Sequence, residues 1–320
     1  MKKVLVTGAN GFVGRHLLSQ LTNYQVRLAV RAGHHSHAGS GKYENIGFDL
    51  EDNVQDFDQI LNNIDVVIHL AGIAHKRSVS NDEYISSNTR ATARLVAESV
   101  KRGIKRFIFL STIKVHGEST GEHNGRYYAF TESTETAPQD SYSRSKLDAE
   151  HAIINACNGS DTEYVILRPP LIFGPDVKAN FLKLLQLIAS GFPLPFAAIN
   201  NRRSLIYVEN LCSLVKVCID HPSAGNQVFV VKDYDYATPS LITNIARAFG
   251  TTPRLFPLPI WLLRLLGKLV RQDAAVSRLT ESLFVDNSKL YTQLGWNPPV
   301  TMDTAICRTV TWYIERGHSR

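Results

Sequence analysis

A strand-like run that leads directly into a glycine-rich loop and a helix-like stretch most constrains the fold of this chain. The run KVLVT occupies residues 3–7, the loop carries Gly8, Gly11 and Gly14 in the spacing G-x-x-G-x-x-G, and residues 11–22 have a helical pattern. Glycine permits a tight turn there and lets the backbone approach a bound group closely. A strand, such a loop and a helix in this order predict a Rossmann-type site for the pyrophosphate of a dinucleotide.

Short apolar runs alternate with helix-like stretches over the first half of the chain. Strands are predicted at 3–7, 26–30, 45–49, 65–71, 106–111 and 164–168, and helices at 54–62, 82–102 and 140–157. This alternation predicts an α/β fold, a Rossmann-type doubly wound parallel sheet covered on both faces. Beyond RPP the pattern loosens, with helices predicted at 178–190, 208–220 and 239–249. We therefore expect an NAD(P)-binding domain, 1–170, and a smaller α/β substrate-binding portion, 171–320, partly interleaved with it and able to lend the sheet a strand or two.

Composition excludes several classes of protein. The 320 residues are 44% hydrophobic and 20% charged, enough for a large core in one or two domains. The net charge of +6 comes from dispersed basic residues, which favours an anionic small substrate over nucleic acid. The sequence contains no apolar run of about 20 residues, so no membrane span is predicted. No secretory pattern precedes the first strand and the four cysteines are scattered, so we expect a cytoplasmic protein without a disulfide framework or a metal site.

The end of the second predicted strand indicates which dinucleotide binds. An acidic residue there would hydrogen-bond the ribose 2′-hydroxyl of NAD, but this chain has Val30 followed by Arg31. A guanidinium can pair with a 2′-phosphate, which favours NADP(H) and leaves NAD possible. Alternatively, Arg31 is a solvated loop residue, and the three histidines within 34–37 either assist it or belong to a polar loop. Asp49, which ends the third strand, is expected to hydrogen-bond the adenine amino group.

The stretch YSRSK at 142–146 has the spacing Y-x-x-x-K. On a helix, Tyr142 and Lys146 share one face. A lysine cation and an oxidised nicotinamide nearby would lower the phenol pKa from about 10 and make Tyr142 a usable acid and base. Lys146 can also donate to the nicotinamide ribose. The stretch FLSTIKVHGE at 109–118 supplies hydroxyls at the end of the fifth strand, on the sheet edge where such folds bind ligands.

Four motifs, VTGANGFVG, VVIHLAG, FLSTIKVHG and YSRSK, occur in the order and spacing of a known superfamily. The chain resembles, over essentially its whole length, the extended short-chain dehydrogenases/reductases, and within them the nucleotide-sugar epimerase/dehydratase/reductase branch. The resemblance implies that Tyr142 is the catalytic acid/base, that Lys146 is its partner, and that Thr112 is the catalytic hydroxyl, with Ser111 as the alternative. The cofactor-binding residues expected from the loop and the resemblance are Gly8, Asn10, Gly11, Phe12, Val13, Gly14, Arg31, Asp49, Leu50, Leu70, Ala71, Gly72, Asn88, Ser111, Tyr142, Lys146 and Pro169.

The same resemblance implies substrate contacts. RRSLIYVEN at 202–210 is similar to a family segment that begins with a diphosphate-binding arginine, here Arg203. Asn180 matches an asparagine that contacts the nucleotide-sugar, and Arg278 is a candidate second phosphate arginine. The 4,6-dehydratases carry Asp-Glu after the catalytic threonine, whereas this chain has Ile113 and Lys114, which disfavours dehydration. Lys114 either faces the substrate or is a surface lysine.

Three functions follow from the resemblance. The first is NADP(H)-dependent reduction of a UDP-4-keto-6-deoxy-N-acetylhexosamine in bacterial surface polysaccharide biosynthesis. The second is a UDP-glucose or UDP-N-acetylglucosamine 4-epimerase that retains NAD tightly. The third is a non-enzymatic cofactor sensor, which Tyr142 and Lys146 disfavour. Members of this branch often form homodimers through their two long helices, here about 82–102 and 140–157, so we expect a homodimer.

The stretch PLPIWLLRLLGKLV at 257–270 is apolar with basic interruptions. It either rests on a membrane surface or near a lipid-linked sugar, or forms a helix that packs against the substrate portion. The second interpretation is favoured and places Trp261 and the leucines in the core. His69 is expected to be a packed strand residue rather than a ligand.

Overall fold

The computed structural model describes residues 1–31, 43–52, 54–74, 79–123, 126–269 and 271–317. Its main sheet has seven strands, and every neighbouring pair is parallel. In chain order the strands in the described residues are β1 (Lys3–Thr7), β2 (Gln25–Val30), β3 (Glu44–Gly47), β4 (Val66–His69), β5 (Arg106–Leu110), β6 (Glu122–His123), β7 (Arg126–Tyr127), β8 (Glu163–Arg168), β9 (Leu171–Phe173), β10 (Arg203–Tyr207), β11 (Gln227–Val230) and β12 (Tyr234–Tyr236). The main sheet has the order β11-β8-β5-β4-β1-β2-β3, which confirms the predicted doubly wound α/β fold.

Helices fill the connections between these strands. They are α1 (Phe12–Leu18), α2 (Asp58–Leu61), α3 (Asn81–Tyr84), α4 (Ala91–Lys101), α5 (Ser141–Cys157), α6 (Ala179–Ala189), α7 (Val208–Asp220), α8 (Thr238–Ala248), α9 (Ile260–Leu269), α10 (Asp273–Thr280), α11 (Ser288–Leu294) and α12 (Met302–Glu315). A π-helical turn, Ile85–Arg90, joins α3 to α4, so the helix predicted at 82–102 is continuous but locally widened. Short 3₁₀ turns cover Ile113–Val115 and Pro222–Ala224.

Two apolar layers cover the sheet. In β1, Val4 and Val6 face the layer that α1 and α7 supply, whereas Leu5 faces the layer of α4 and α5. All three side chains are fully buried. Side chains of one strand point alternately to opposite faces, so a strand with helices on both sides must be apolar throughout.

The order of the strands reverses at β1. The chain passes from β1 outward to β2 and β3, and then returns to add β4 on the other side of β1. The carboxyl ends of β1 and β4 therefore border a crevice, which is where open α/β sheets bind ligands.

The second half of the chain adds a strand to the main sheet, forms a smaller sheet and contributes to the apolar layer on the α7 side. β11 joins the edge of the main sheet beside β8, while β9, β10 and β12 form a separate three-stranded sheet. The apolar layer on the α7 side also includes residues of α6, α8 and α12. The two halves therefore share one core.

Within the stretch at 257–270, residues Ile260–Leu269 form α9, and the expectation that Trp261 and the leucines serve the core holds for Leu263 but is wrong for the exposed side chains of this helix. Along α9 the buried residues are Leu263 and Gly267, whereas Trp261 is 68% exposed and Leu269 is 72% exposed. α9 packs against α10 along a narrow stripe, because a Cβ at Gly267 would lie 2.6 Å from Val276 Cγ2. Within the described residues, no helix combines the length and the apolarity that crossing a bilayer requires.

Candidate active site

The glycine loop forms a tight cradle at the end of β1. Gly8 has φ +73°, and a Cβ there would lie 2.5 Å from the backbone nitrogen of Ala71. A Cβ at Gly14 would lie 2.4 Å from the carbonyl oxygen of Gly8. Gly11 precedes α1, and among the described residues no side chain caps that helix. A backbone this close at the N-terminus of a helix fits the pyrophosphate of a dinucleotide.

The other expected cofactor residues follow neighbouring strands of the same sheet edge. Arg31 follows β2, Asp49 and Leu50 follow β3, Leu70–Gly72 follow β4, Ser111 follows β5 and Pro169 follows β8. The structure thus brings them to one edge, as expected of a parallel sheet. The backbone carbonyl of Pro169 accepts from Ile113 N–H at 2.9 Å, which ties the turn after Thr112 to β8.

A hydrogen-bonded chain runs through the buried imidazole of His69. The ring stacks on Phe109, and burial lowers its pKa to about 3, so it is neutral. Ala71 N–H donates to the hydroxyl of Thr7 at 3.3 Å, and that hydroxyl lies 2.6 Å from His69 Nδ1. On the other side His69 Nε2 lies 2.8 Å from the Thr92 hydroxyl, which donates to the Asn88 carbonyl at 2.6 Å. These partners assign the proton to Nε2, and they connect the loop after β4 to the helix behind it.

Asn88 sits in the π-helical turn and joins three segments. Its Oδ1 accepts from Ile73 N–H at 2.8 Å, and its Nδ2 donates to Ile73 O at 3.1 Å and to Ser145 Oγ at 3.0 Å. A Cβ at Gly72 would lie 2.9 Å from Asn88 Oδ1 and 3.4 Å from Lys146 Nζ. The widened helical turn therefore fixes the loop after β4 against α5, and π-helical turns are frequent at functional sites.

The Y-x-x-x-K pair lies on one face of α5, as its spacing predicted. Burial raises the pKa of the Tyr142 phenol, and the charge of Asp140 adds to the rise, while a hydrogen bond with the Thr112 side chain opposes it. The cation of Lys146 is not among these causes, which differs from our expectation of a phenol pKa lowered by lysine. Lys146 Nζ instead donates to Leu110 O at 2.9 Å and lies 4.5 Å from the centre of the Phe109 ring. Burial lowers the pKa of Lys146 to about 8.

A buried ion pair that sequence reasoning missed stands one helical turn beyond Lys146. Glu150 is 1% exposed, and its carboxylate accepts from Arg168 Nε at 3.1 Å and from the Ser111 hydroxyl. Arg168 Nη1 donates to His116 Nε2 at 2.9 Å. Ser111 is thus directed into the protein, whereas the neighbouring Thr112 hydroxyl contacts the Tyr142 phenol. The sequence signal for this ion pair is the position of Glu150, four residues after Lys146 on the same helix. Such spacing places Glu150 on the helix face that carries Lys146, so both are buried together.

The predicted 2′-phosphate partner has a carboxylate partner of its own. Arg31 Nη2 donates to Glu51 Oε1 at 2.8 Å, and the Arg31 side chain is 62% exposed. The hydroxyl of Ser87 donates to the same oxygen at 2.7 Å, so Glu51 is held at the π-helical turn. A carboxylate beside Arg31 repels a second phosphate, and the structure lends no support to a preference for NADP(H). The histidines within 34–37 lie outside the described residues.

Three of the four expected substrate residues are close to one another, because Glu118 interacts with both Lys114 and Arg203, and Arg278 acts electrostatically on Arg203. Lys114 Nζ donates to Glu118 Oε1 at 2.6 Å and lies 3.5 Å from Asp140 Oδ2. Arg203 donates to the carbonyl of Glu281 at 3.0 Å, and burial lowers its pKa, with the charges of Glu118 and Arg278 acting in opposite directions. The fourth, Asn180, is exposed in the first turn of α6. Lys114 is therefore part of a charged cluster beside the site, not an isolated surface lysine.

Comparison with known proteins places this fold and site in a family. The model of the NAD dependent epimerase/dehydratase family matches residues 4–231, so the chain belongs to that family. This confirms the resemblance to the nucleotide-sugar branch of the extended short-chain dehydrogenases/reductases.

Individual relatives share almost the full length of the chain. It is 39% identical over 99% of its length to a UDP-glucose 4-epimerase of Vibrio cholerae, of which 97% is covered. It is 28% identical over 97% of its length to the N-acetyl-alpha-D-glucosaminyl-diphospho-ditrans,octacis-undecaprenol 4-epimerase of Escherichia coli O157:H7, covering 94% of that protein. Among solved structures, MoeE5 in complex with UDP-glucuronic acid and NAD has a TM-score of 0.77 at 21% identity, with 98% and 99% of the two chains covered.

Proposed function

We propose that this protein is a 4-epimerase of a UDP-hexose that works with tightly retained NAD. The observation that carries the proposal is the 39% identity to a UDP-glucose 4-epimerase over 99% of this chain. The chain also keeps a threonine, a tyrosine and a lysine grouped at the glycine cradle. This interpretation is the alternative of the sequence analysis, and it now stands ahead of the reductase.

Each catalytic side chain has a distinct role in the proposal. Tyr142 removes the proton from the sugar O4 and later returns it, and Thr112, in contact with the phenol, orients that oxygen. Lys146 holds the cofactor ribose and supplies a positive charge from the same helix as Tyr142. When bound, the nicotinamide supplies the oxidising and reducing equivalents at C4. Burial raises the pKa of the Tyr142 phenol and keeps it protonated when no cofactor is bound. The positive charge of an oxidised nicotinamide would lower that pKa and favour ionisation of the phenol.

The cradle and its surroundings support NAD as the dinucleotide. The Gly8 and Gly14 contacts leave room for no side chain, which suits a pyrophosphate held by backbone N–H groups. Glu51, held against Arg31, disfavours an additional 2′-phosphate. A cofactor that is regenerated in each cycle gains from tight retention, because it never needs to exchange.

The nucleotide end of the substrate is proposed to bind the second half of the chain. Arg203 and Arg278 supply positive charge for a diphosphate, and the burial of Arg203 makes that charge effective. The cluster of Lys114, Glu118 and Asp140 lies next to Tyr142 and would contact the sugar. In this proposal residues 1–170 hold the cofactor and contact the sugar, residues 171–320 hold the nucleotide end of the substrate, and β11 of the second half completes the main sheet.

One observation favours the reductase as a second candidate. No carboxylate stands at the end of β2, which closes with Val30 and is followed by Arg31, and a reductase must exchange its dinucleotide after each turnover. Such an enzyme would consume one NADPH for each UDP-4-keto-6-deoxy-N-acetylhexosamine that it reduces.

A single preparation of the protein distinguishes the candidates. The purified protein is denatured, and any released dinucleotide is identified and quantified by chromatography. UDP-galactose is then supplied without free cofactor, and UDP-glucose formation is measured by a coupled assay. Near-stoichiometric NAD and interconversion of the two sugars support the epimerase. Consumption of NADPH with a 4-keto sugar and no interconversion would establish the reductase, and neither activity would favour a sensor.

A further inference from the structure

The helix α9 exposes its apolar side to solvent. Its buried residues are Leu263, which joins the main core, and Gly267, which lies against Val276 of α10. Trp261 is 68% exposed, Leu265 49%, Leu266 46% and Leu269 72%. A helix on the surface of a protein in water normally turns such residues inward. In α9 the buried stripe consists of Leu263 and Gly267, and the face that points to solvent is apolar.

The exposed apolar residues form one continuous sector. At about 100° per residue, the exposed side chains of Trp261, Leu265, Leu269 and Leu266 span an arc of about 140°, which also includes the half-buried Leu262. That arc lies opposite the stripe of Leu263 and Gly267. Monomeric soluble proteins rarely expose contiguous apolar patches of this kind unless something binds there.

Basic side chains border this apolar sector. Arg264 and Lys268 lie on one flank of the arc, and Arg271 follows the helix, all three exposed. Arg278 of α10 is a fourth exposed cation, and the acidic residues of α10 and its end are Asp273 and Glu281. Glu281 lies 3.7 Å from Arg264. The surface is therefore apolar with a basic margin, which is the composition of helices that lie in the membrane interface.

We propose that α9 docks this protein on the surface of an anionic phospholipid bilayer. The apolar arc enters the interface between headgroups and acyl chains, with Trp261 at the boundary. Arg264, Lys268 and Arg271 face the anionic headgroups. The ten residues of α9 are too few to cross the hydrocarbon layer, so the helix lies in the plane of the membrane.

Charge favours a lipid surface over a second copy of this chain. In a two-fold dimer through α9, the basic margins of both copies would meet, and like charges would repel in a partly desolvated interface. An anionic bilayer offers the complementary charge and a continuous apolar phase. Docking of this kind does not depend on which sugar the enzyme converts.

The docked face lies beside the proposed substrate site. Glu281 connects the two, because its carboxylate pairs with Arg264 of α9 and its backbone carbonyl accepts from Arg203 at 3.0 Å. Docking through α9 therefore brings the proposed diphosphate-binding arginine close to the membrane surface.

Sedimentation with vesicles tests the proposal on the full chain. The wild type is mixed with vesicles of phosphatidylcholine and phosphatidylglycerol, or of phosphatidylcholine alone, and the bound fraction is measured at low and high salt. We expect binding to the anionic vesicles that weakens with salt and without phosphatidylglycerol. A Leu265→Gln/Leu269→Gln variant should lose about tenfold or more in vesicle partitioning. Its circular dichroism should match the wild type, because both side chains face solvent.

Val54→Gln is the matched control, since Val54 is 92% exposed in another part of the molecule. It should bind vesicles like the wild type. The proposal is overturned if the wild type does not sediment with anionic vesicles, or if the double variant sediments equally well. It is also overturned if light scattering shows a wild-type dimer that the double variant dissociates, since α9 would then be a protein interface.

Discussion

At the scale of single residues, the environment of a side chain sets its chemistry more than its type does. Tyr142 and Lys146 carry the expected spacing, but burial raises the pKa of the phenol and lowers the pKa of the ammonium to about 8. His69 is packed within its strand as the sequence predicted, and it is buried between two threonines and remains neutral. The charge state of each group follows from desolvation and from its partners.

Replacing Tyr142 removes the proposed acid and base without changing the shape of the site. We expect Tyr142→Phe to lower kcat by about 10²–10⁴-fold with little change in KM, because proton transfer and not binding is lost. Steady-state kinetics on the proposed sugar pair measures both constants. Tyr128→Phe, at a tyrosine 58% exposed, is the matched control and should behave like the wild type. A Tyr142→Phe protein with full activity would refute the assignment.

His69 makes the stability depend on pH in a defined direction. Its pKa is about 3 in the folded protein and about 6.5 when unfolded, so the unfolded chain binds the proton more tightly. The stability that neutral His69 contributes is complete above about pH 6.5 and is lost as the pH falls toward about 3. From about pH 7 to about pH 5 this group alone should cost about 2 kcal/mol of unfolding free energy.

The His69→Gln variant isolates that contribution, because its amide can still donate and accept between the two threonines. Urea denaturation across this pH range should show a smaller loss for His69→Gln than for the wild type. His151→Gln, at an exposed histidine of α5, should retain the wild-type loss. Equal pH dependence in His69→Gln and the wild type would show that His69 does not titrate as described.

At the scale of elements, close backbone contacts decide at which positions only glycine fits. Gly14 lies inside α1, where alanine would ordinarily be favoured by about 1 kcal/mol. The carbonyl of Gly8 would lie 2.4 Å from the added Cβ, so the local contact opposes the helical preference. The π-helical turn at Ile85–Arg90 has a similar origin, since Asn88 must reach Ile73 and Ser145 at the same time.

We expect Gly14→Ala to lower the free energy of unfolding by about 1–3 kcal/mol, because the loop and α1 must move apart. The displaced loop should also weaken the retention of the dinucleotide that we propose stays bound to the wild type. Chemical denaturation and chromatography of the released cofactor check the two effects. Gly121→Ala is the control, since its added Cβ has no neighbour within 4 Å in the described part of the chain beyond the adjoining residues. An unchanged stability for Gly14→Ala would contradict the contact.

At the scale of the whole molecule, the two halves of the chain complete each other. β11 covers the edge of β8, and the sulfhydryl of Cys212 in α7 lies 3.7 Å from the Val13 carbonyl of α1. Arg106 of β5 donates to the Cys218 carbonyl at the end of α7 at 2.8 Å. Residues 1–170 by themselves therefore lack one sheet edge and part of one apolar layer.

A fragment of residues 1–170 tests this mutual dependence. Without β11 and α7, the buried side chains of β8 would form an exposed apolar edge, which promotes aggregation. We expect the fragment to aggregate or to lack cooperative thermal unfolding, measured by near-ultraviolet circular dichroism against the full chain. Cooperative unfolding of the fragment would mean that the first half folds independently.

Much of this protein was determined by its sequence. Alternating apolar strands and helices predicted the parallel sheet, since strands buried on both faces must be apolar, and the glycine spacing located the tight loop at the end of β1. Helical spacing also placed Tyr142 and Lys146 on one face, because these signals are local and periodic. The tertiary structure alone decided the ion pair of Glu150 with Arg168, the partner of Arg31 and the outward face of α9. Burial and ion pairing depend on residues far apart in the chain, and no local pattern encodes which of them meet.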